Sequence, residues 1–340
     1  MGRSAAGMGG HNGMDIKQLT SLVTVSEVGS VTKAARLLHL VQPAVTRHIR
    51  SLEEELGVPL FERTRNGMVP TAEGTILVER ARRALHELER ARAEVTPASG
   101  QVTGVVRVGI LESVVDVLAT PLVAAVAERH PGIELRLLTA YSGHLQQWLD
   151  AGDVDLSLLY NLAPTPALAV LPLVEETLWA AAPPGAGLSP DEPLRWAELW
   201  QRPLALPVPG HGLRAIIDRA RAESAAEPEI TVEVNSMRMQ KLMVLSGQGW
   251  TVLPAAGVAD DVADGTLSGA PLTDPTITRS IVLGLPRTAQ VPRPVNAVAA
   301  QVVRVVRRQV RSGRWPAAQL AGDDTATEWA GTPGTPAVRP

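Results

Sequence analysis

The stretch QPAVTRHIR, residues 42–50, gathers an amide (Gln42), a hydroxyl (Thr46) and two guanidinium groups (Arg47, Arg50) on successive helical turns. That mixture of donors and acceptors reads base edges and grips phosphates when a helix enters a major groove. A plain amphipathic surface helix would also be polar there, so this spacing is a weak signal taken alone. Arg63 and Arg65 flank Asn66-Gly67, a hairpin signal. A basic hairpin beside a reading helix could hold the sugar-phosphate backbone or probe a minor groove; without that neighbour the two arginines would simply be solvated.

A second set of candidates lies further along. Ser113, Ser142-Gly143, His211-Gly212 and Ser236 each follow a strand-like run. Ligands settle at the carboxyl ends of strands, where helix amino-termini offer free N–H groups. Each position is also ordinary cap chemistry. Ser113, Ser142 and His211 lead this set, with Asn161, Tyr160, Arg214 and Met237 behind them. Glu112 would repel a carboxylate if it faced inward, which leaves the charge of any ligand open.

Catalysis has no named player. The chain lacks G-x-S-x-G, H-E-x-x-H and a phosphate-binding G-x-x-x-x-G-K-[ST], and its histidines are scattered. It has no Cys, which excludes disulfides and thiolate chemistry and fits a reducing cytoplasm. No metal or cofactor is called for. A net charge of −3 does not announce a nucleic-acid binder, so any such reading rests on where the charges sit. The amino end lacks the apolar run of a signal peptide, and no stretch approaches the ~20 apolar residues of a membrane span.

The elements that must position these residues follow from pattern. At 340 residues the chain exceeds one compact core and reads as two or three domains. Residues 1–13 are Gly-rich and expected to be a disordered extension. Ser30 and Thr32 can cap a helix bearing Ala34, Ala35, Leu37 and Leu38, and Gln42-Pro43 can open the next. On that helix Val45, Ile49, Leu52 and Leu56 share a face opposite Thr46, Arg47 and Arg50. Phe61 should pack the hairpin onto this head. A long helix capped by Thr71 then carries Leu77, Ala81, Ala84, Leu88, Ala91 and Val95 at alternating steps of four and three, the seam of a paired helix. Its alternative partner is the chain's own body.

TPASGQVTG breaks the pattern, and 96–104 reads as a hinge. Beyond it, strands and helices alternate in a way that implies parallel βα units. The body spans 105–313, with one lobe of about 105–175 and 279–313 and another of about 176–278. A disordered tail is expected from 314 to 340.

The residues LTSLVTVSEVGSVTKAARLLHLVQPAVTRHIRSLEEELGVPLFERTRNGMVPTAEG resemble, in order and spacing, the amino-terminal winged helix-turn-helix of LysR-type transcriptional regulators. GS-V-T-x-AA-x-x-L, QPAVTRHI, LE-x-x-LG-x-PLFER and T-x-x-G together carry the resemblance across about residues 15–74. It implies a multi-domain chain: an all-α winged head over 14–71, a dimerising linker helix over 72–95, and a two-lobed α/β effector domain resembling type 2 periplasmic binding proteins. It further implies that Gln42, Pro43, Thr46 and Arg47 approach DNA, with Arg63 in the wing. Thr46 stands where the family more often has Ser, keeping the hydroxyl. The implied partners are an operator duplex, a small-molecule effector, a second copy (two or four chains) and RNA polymerase, with no membrane. The competing readings are a solute-binding or carrier protein with the same body, and an enzyme with an appended regulatory head.

Overall fold

A computed structural model describes residues 13–65, 67–95, 102–162, 165, 167–222, 224, 227–287 and 291–322. Expectations for residues 1–12, 96–101 and 323–340 lie outside them. Contacts divide the chain into two units after Val95.

In the first unit, α1 (Ile16–Val28) opens on a capping box in which Asp15 and Gln18 each accept the other's backbone N–H. α2 (Val31–Leu37) is capped by Ser30, whose Oγ accepts the Lys33 N–H at 3.4 Å. Thr32 sits inside that helix and is exposed, so the cap expected of both residues belongs to Ser30 alone. α3 (Gln42–Leu56) begins with Pro43 in its first turn, where a missing N–H costs nothing. Val45, Ile49 and Leu52 of α3 pack with Leu22 and Val25 of α1 and Ala34 and Ala35 of α2. Leu56, expected on the same stripe, lies in the last turn before left-handed Gly57 and is 40% exposed. A bond of 2.7 Å between Ser21 Oγ and His48 Nδ1 ties α1 to α3 beneath the polar face.

Strands β1 (Phe61–Thr64) and β2 (Gly67–Pro70) pair antiparallel as the hairpin, which corrects the expectation of an all-α head, and Leu60 and Phe61 join the core. α4 (Ala72–Val95) follows, its first turn capped as expected by Thr71 Oγ1, which accepts the Gly74 N–H at 2.9 Å. A Cβ at Gly74 would lie 1.9 Å from the Leu60 carbonyl oxygen, so only glycine lets α4 start this close to the loop before the hairpin. Val78 and Ala81 of α4 are buried in the head core, whereas Ala84, Leu88 and Ala91 are exposed. The evenly spaced seam therefore divides: Ala81, with Leu77 half-buried beside it, serves the head, and Ala84, Leu88 and Ala91 face outward, while the Val95 side chain lies outside the described residues.

The second unit starts with β3 (Gly104–Leu111), a 3-10 turn over Glu112–Val114, α5 (Val115–Arg129), β4 (Ile133–Ala140), α6 (Ser142–Ala151) and β5 (Leu156–Tyr160). β3 lies between β4 and β5 and parallel to both, as the alternation implies. Next come β6 (Leu168–Ala182), β7 (Leu194–Arg195), α7 (Trp196–Leu199), β8 (Leu204–Pro207), α8 (Gly212–Ala222), β9 (Ile230–Val234), α9 (Met237–Leu245), β10 (Thr251–Pro254), α10 (Ala259–Ala263) and β11 (Ser268–Thr273). The chain closes with β12 (Thr278–Pro286), α11 (Arg293–Arg311) and β13 (Ala318–Leu320).

β6 is the spine. Its first part pairs antiparallel with β12, and its last part pairs antiparallel with β10 and β11. At about 3.3 Å per residue a strand of this length reaches across two lobes. Among the described strands, parallel pairing is found in β4-β3-β5, β8-β9 and the short β7-β11 contact, with one isolated parallel bridge at Leu204–Trp250, while the strands that cross between lobes in opposite directions pair antiparallel. Two apolar cores result. One draws on 106–174, Ala256 and 281–315, the other on 178–272.

The expected tail is corrected over its first residues. Trp315 is 1% exposed, and β13 pairs antiparallel with β6 at Glu176–Val174. An indole buries too much apolar surface to be left in a solvated tail when β6 offers an open edge. Among the described residues no helix is long and apolar enough to cross a membrane, and no cluster of His, Asp and Glu has the arrangement of a metal site.

Candidate functional site

The first candidate surface is the outer face of α3. Gln42, Pro43, Arg47 and Arg50 are exposed and Thr46 is half-buried, its hydroxyl donating to the Gln42 carbonyl at 3.1 Å. Arg63 and Arg65 are exposed on and beside β1. The aliphatic stripe beneath anchors the helix, so these donors stand clear of the head's own core. Ser30, by contrast, is occupied as a cap.

The second is a small cavity in the body, about 30 Å³, room for roughly one water molecule. One wall comes from the first lobe through Glu112, Ser113, Tyr141 and Tyr160, the other from the second through His211, Met237 and Gln240, and Arg279 closes it from the crossing strand β12. Ser113, His211, Met237 and Tyr160 are thus brought together as the sequence suggested.

The other expectations fall elsewhere. Ser142 is buried and its Oγ accepts the Tyr160 N–H at 3.3 Å, holding α6 to β5; Gly143 follows it on α6 outside the cavity wall. Asn161 occupies a left-handed turn and its side-chain oxygen accepts the Ser280 N–H at 2.9 Å. Arg214 is spent on Asp218 (2.9 Å), Glu233 (2.5 Å) and the Pro207 carbonyl, an arrangement that pins α8 to β8 and β9. Ser236 caps α9 by accepting the Met239 N–H at 3.2 Å. The four polar side chains among these are occupied by nearby partners; for buried Ser142 and Arg214 that is the ordinary requirement that a buried polar group be paired.

Arg279 is the residue sequence reasoning missed. It is 3% exposed, ion-paired with fully buried Glu176 opposite it on β6, and donates to Ser113 Oγ at 2.6 Å. Trp315 Nε1 donates to the other Glu176 oxygen at 2.9 Å. Arg279, the one charged residue of β12, and the Glu175-Glu176 pair within mostly apolar β6 were the available signal. The guanidinium also lies over the Tyr160 ring, 5.3 Å from its centroid.

His211 Nδ1 accepts the Leu213 N–H at 3.1 Å, which leaves the proton on Nε2. Burial, reinforced by the Arg279 charge, lowers its pKa to about 4, so it is a neutral donor at physiological pH. Burial likewise raises the Tyr160 pKa, against the opposing pull of Arg279 and of the nearby Leu213 N–H, which donates to His211 Nδ1 and not to the phenol. The Tyr160 hydroxyl is buried without a hydrogen-bond partner among the described residues. A Cβ at Gly212 would lie 2.5 Å from that hydroxyl, so glycine there admits the phenol.

Glu112 lines the cavity with its carboxylate already engaged. Its carboxylate accepts the Met237 N–H at 3.0 Å and lies 3.5 Å from the Arg238 N–H, so the first lobe supplies an anion to the amino-terminus of α9 in the second.

Comparison with known proteins identifies the family. Residues 16–75 match the model of the bacterial regulatory helix-turn-helix protein, lysR family, and residues 99–307 that of the LysR substrate binding domain. The HTH-type transcriptional regulator BbuR of Bordetella bronchiseptica is 33% identical over 306 residues, 90% of this chain and 94% of that protein. CbbR of Xanthobacter flavus is 34% identical over 74% of this chain and 76% of its own length. Among solved structures, full-length OxyR from Pseudomonas aeruginosa superposes with a TM-score of 0.66 at 22% identity, covering 87% of this chain and 96% of that one. Full-length CbnR complexed with its target DNA gives 0.63 at 24%, covering 87% and 99%. The chain therefore belongs to the LysR family: it is a DNA-binding transcriptional regulator, not an enzyme, with a helix-turn-helix head and an effector-binding body.

Proposed function

We propose that α3 enters the operator's major groove with Gln42, Pro43, Thr46 and Arg47 at bases and backbone, Arg50 on phosphate, and Arg63 and Arg65 of the wing on the flanking groove. Thr32 faces the duplex from α2, and Ser30 acts by fixing where that helix begins. The observation that carries this reading is the exposure of the polar face of α3 above a buried aliphatic stripe. Two copies pair through Leu77, Ala84, Leu88, Ala91 and Val95 of α4, setting two reading helices on the half-sites of an approximate palindrome. The site of action is the chromosome, in the cytoplasm.

The effector in this reading is a small polar molecule held between the lobes by Ser113, Tyr141, Tyr160, His211, Met237, Gln240 and Arg279. The unpartnered Tyr160 hydroxyl and the His211 Nε2–H are its donors, so it carries at least one acceptor group. Glu176 already neutralises Arg279, which leaves the cavity no spare positive charge. A ligand larger than water requires the lobes to part, and it shifts the regulator only by its preference for one lobe arrangement over the other.

Fluorescence anisotropy with the DNA upstream of the protein's own gene tests the operator assignment. Arg47→Ala should weaken binding by about 1–3 kcal/mol if it pairs with a base, or lower the salt slope by about one if it contacts phosphate. Binding indifferent to both salt and this substitution discards the assignment.

A further inference from the structure

The first lobe has a second hollow, of about 590 Å³, between the end of α5 and the first half of α11. Its polar lining is Arg129, His130, Arg293, Asn296, Gln301 and Arg304, with no carboxylate. We propose that this groove is a separate small-molecule site that takes a multiply charged phosphorylated anion, such as a pyrophosphate group.

Elsewhere in the body the arginines facing carboxylates are neutralised: Arg136 by Glu134, Arg195 by Glu198, Arg214 by Asp218 and Glu233, Arg279 by Glu176. Arg129 and Arg293 have no such partner among the described residues, and Arg304 donates only to the Gln301 side-chain oxygen, at 3.4 Å. Three guanidinium groups converging on one hollow in a chain of net charge −3 repel one another and focus a positive potential that a polyanion relieves. Planar guanidinium forks match phosphate oxygens two at a time.

The remaining polar groups are already oriented. Gln301 Nε2 lies 3.3 Å from His130 Nε2 while its oxygen accepts from Arg304, so the amide is fixed and the imidazole Nε2 is the acceptor. His130 reports the field: burial first, then the charges of Arg129 and Arg304, depress its pKa. No side chain caps the amino-terminus of α11, where Arg293 sits. The volume lies in the range of about 300–1,000 Å³ typical of small-ligand pockets, unlike the interlobe cavity.

The groove also adjoins the start of the body. Val102 lines it, and the Gly104 N–H donates to the Gly132 carbonyl at 3.2 Å, two residues beyond His130. A bound anion would bridge Arg129 of α5 and the two arginines of α11 beside Val102.

Isothermal titration calorimetry of the full chain tests the proposal, with inorganic pyrophosphate, a nucleoside diphosphate, and sulfate at matched ionic strength. Saturable one-to-one binding of pyrophosphate is expected, at least tenfold weaker in Arg129→Ala/Arg304→Ala and unchanged in Arg308→Ala, an exposed α11 residue outside the lining. Circular dichroism and melting temperature verify that each variant is folded. Tighter binding of the nucleotide would identify its diphosphate as the source of the anion and support the site. Pyrophosphate heats no greater than those of sulfate, or binding unaffected by the double substitution, would overturn it. So would a double variant that loses affinity for non-operator DNA when pyrophosphate does not bind, since the groove would then serve a duplex backbone.

Discussion

Arg279 and Glu176 face each other across β12 and β6 with almost no access to solvent, and each is the other's main counter-charge. Removing one partner from such a pair strands the other charge in a low dielectric, which costs about 3–5 kcal/mol. Arg279→Gln should therefore lower unfolding free energy by that amount in urea titrations, while Arg279→Met/Glu176→Leu should recover much of it. A loss below about 1 kcal/mol in the single variant would mean that the pair is not desolvated in solution. His211 gives a second residue-scale test. Its folded pKa of about 4 lies below the ordinary 6.5, so the unfolded chain binds more protons between those values. Stability should then rise with pH from about 4 to 6.5, by up to about 3 kcal/mol, and His211→Gln should flatten that rise. An identical pH profile for the variant would place the imidazole in water.

At the scale of elements, α4 shows how one helix serves two surfaces. A step of four and three residues drifts slowly around an ideal helix, so the same row passes from the head core at Ala81 to the open side at Ala84, Leu88 and Ala91. Leu88, 40% exposed, can bear a charge without disturbing the head, whereas Ala81, 2% exposed, cannot. Leu88→Glu should raise the dimer dissociation constant at least tenfold in sedimentation equilibrium while the head melts as before. Ala81→Glu should unfold the head itself. Equal self-association of Leu88→Glu and the parent would move the dimer contact off this helix.

Across the body, the contact of Glu112 with the first turn of α9 joins the two lobes. A charge-assisted bond contributes about 1.5–3 kcal/mol, and one to a neutral amide about 0.5–1.5 kcal/mol. Glu112→Gln should accelerate hydrogen exchange at the Met237 amide about tenfold and leave the β3 amides unchanged. Unaltered exchange at Met237 would remove Glu112 from any part in holding the lobes together. An effector that draws this carboxylate away, or replaces it, would change the lobe arrangement through an identified atom pair.

Much of this protein was written along the chain. The capping residues Ser30 and Thr71, Pro43 in the first turn of α3, the 3.6-residue stripe of Val45, Ile49 and Leu52, and the βα alternation that opens the body are all local patterns, set by backbone sterics and side-chain periodicity. Three-dimensional contact decided the rest. Glu176, Arg279 and Trp315 are far apart in sequence and meet only because β6 spans both lobes and β13 returns to its edge. Arg214, Asn161 and Ser142 looked as free as Ser113 and His211, yet found partners in their own lobe. Which polar group is left facing a cavity depends on which others are already satisfied, and that is settled only when every element is packed.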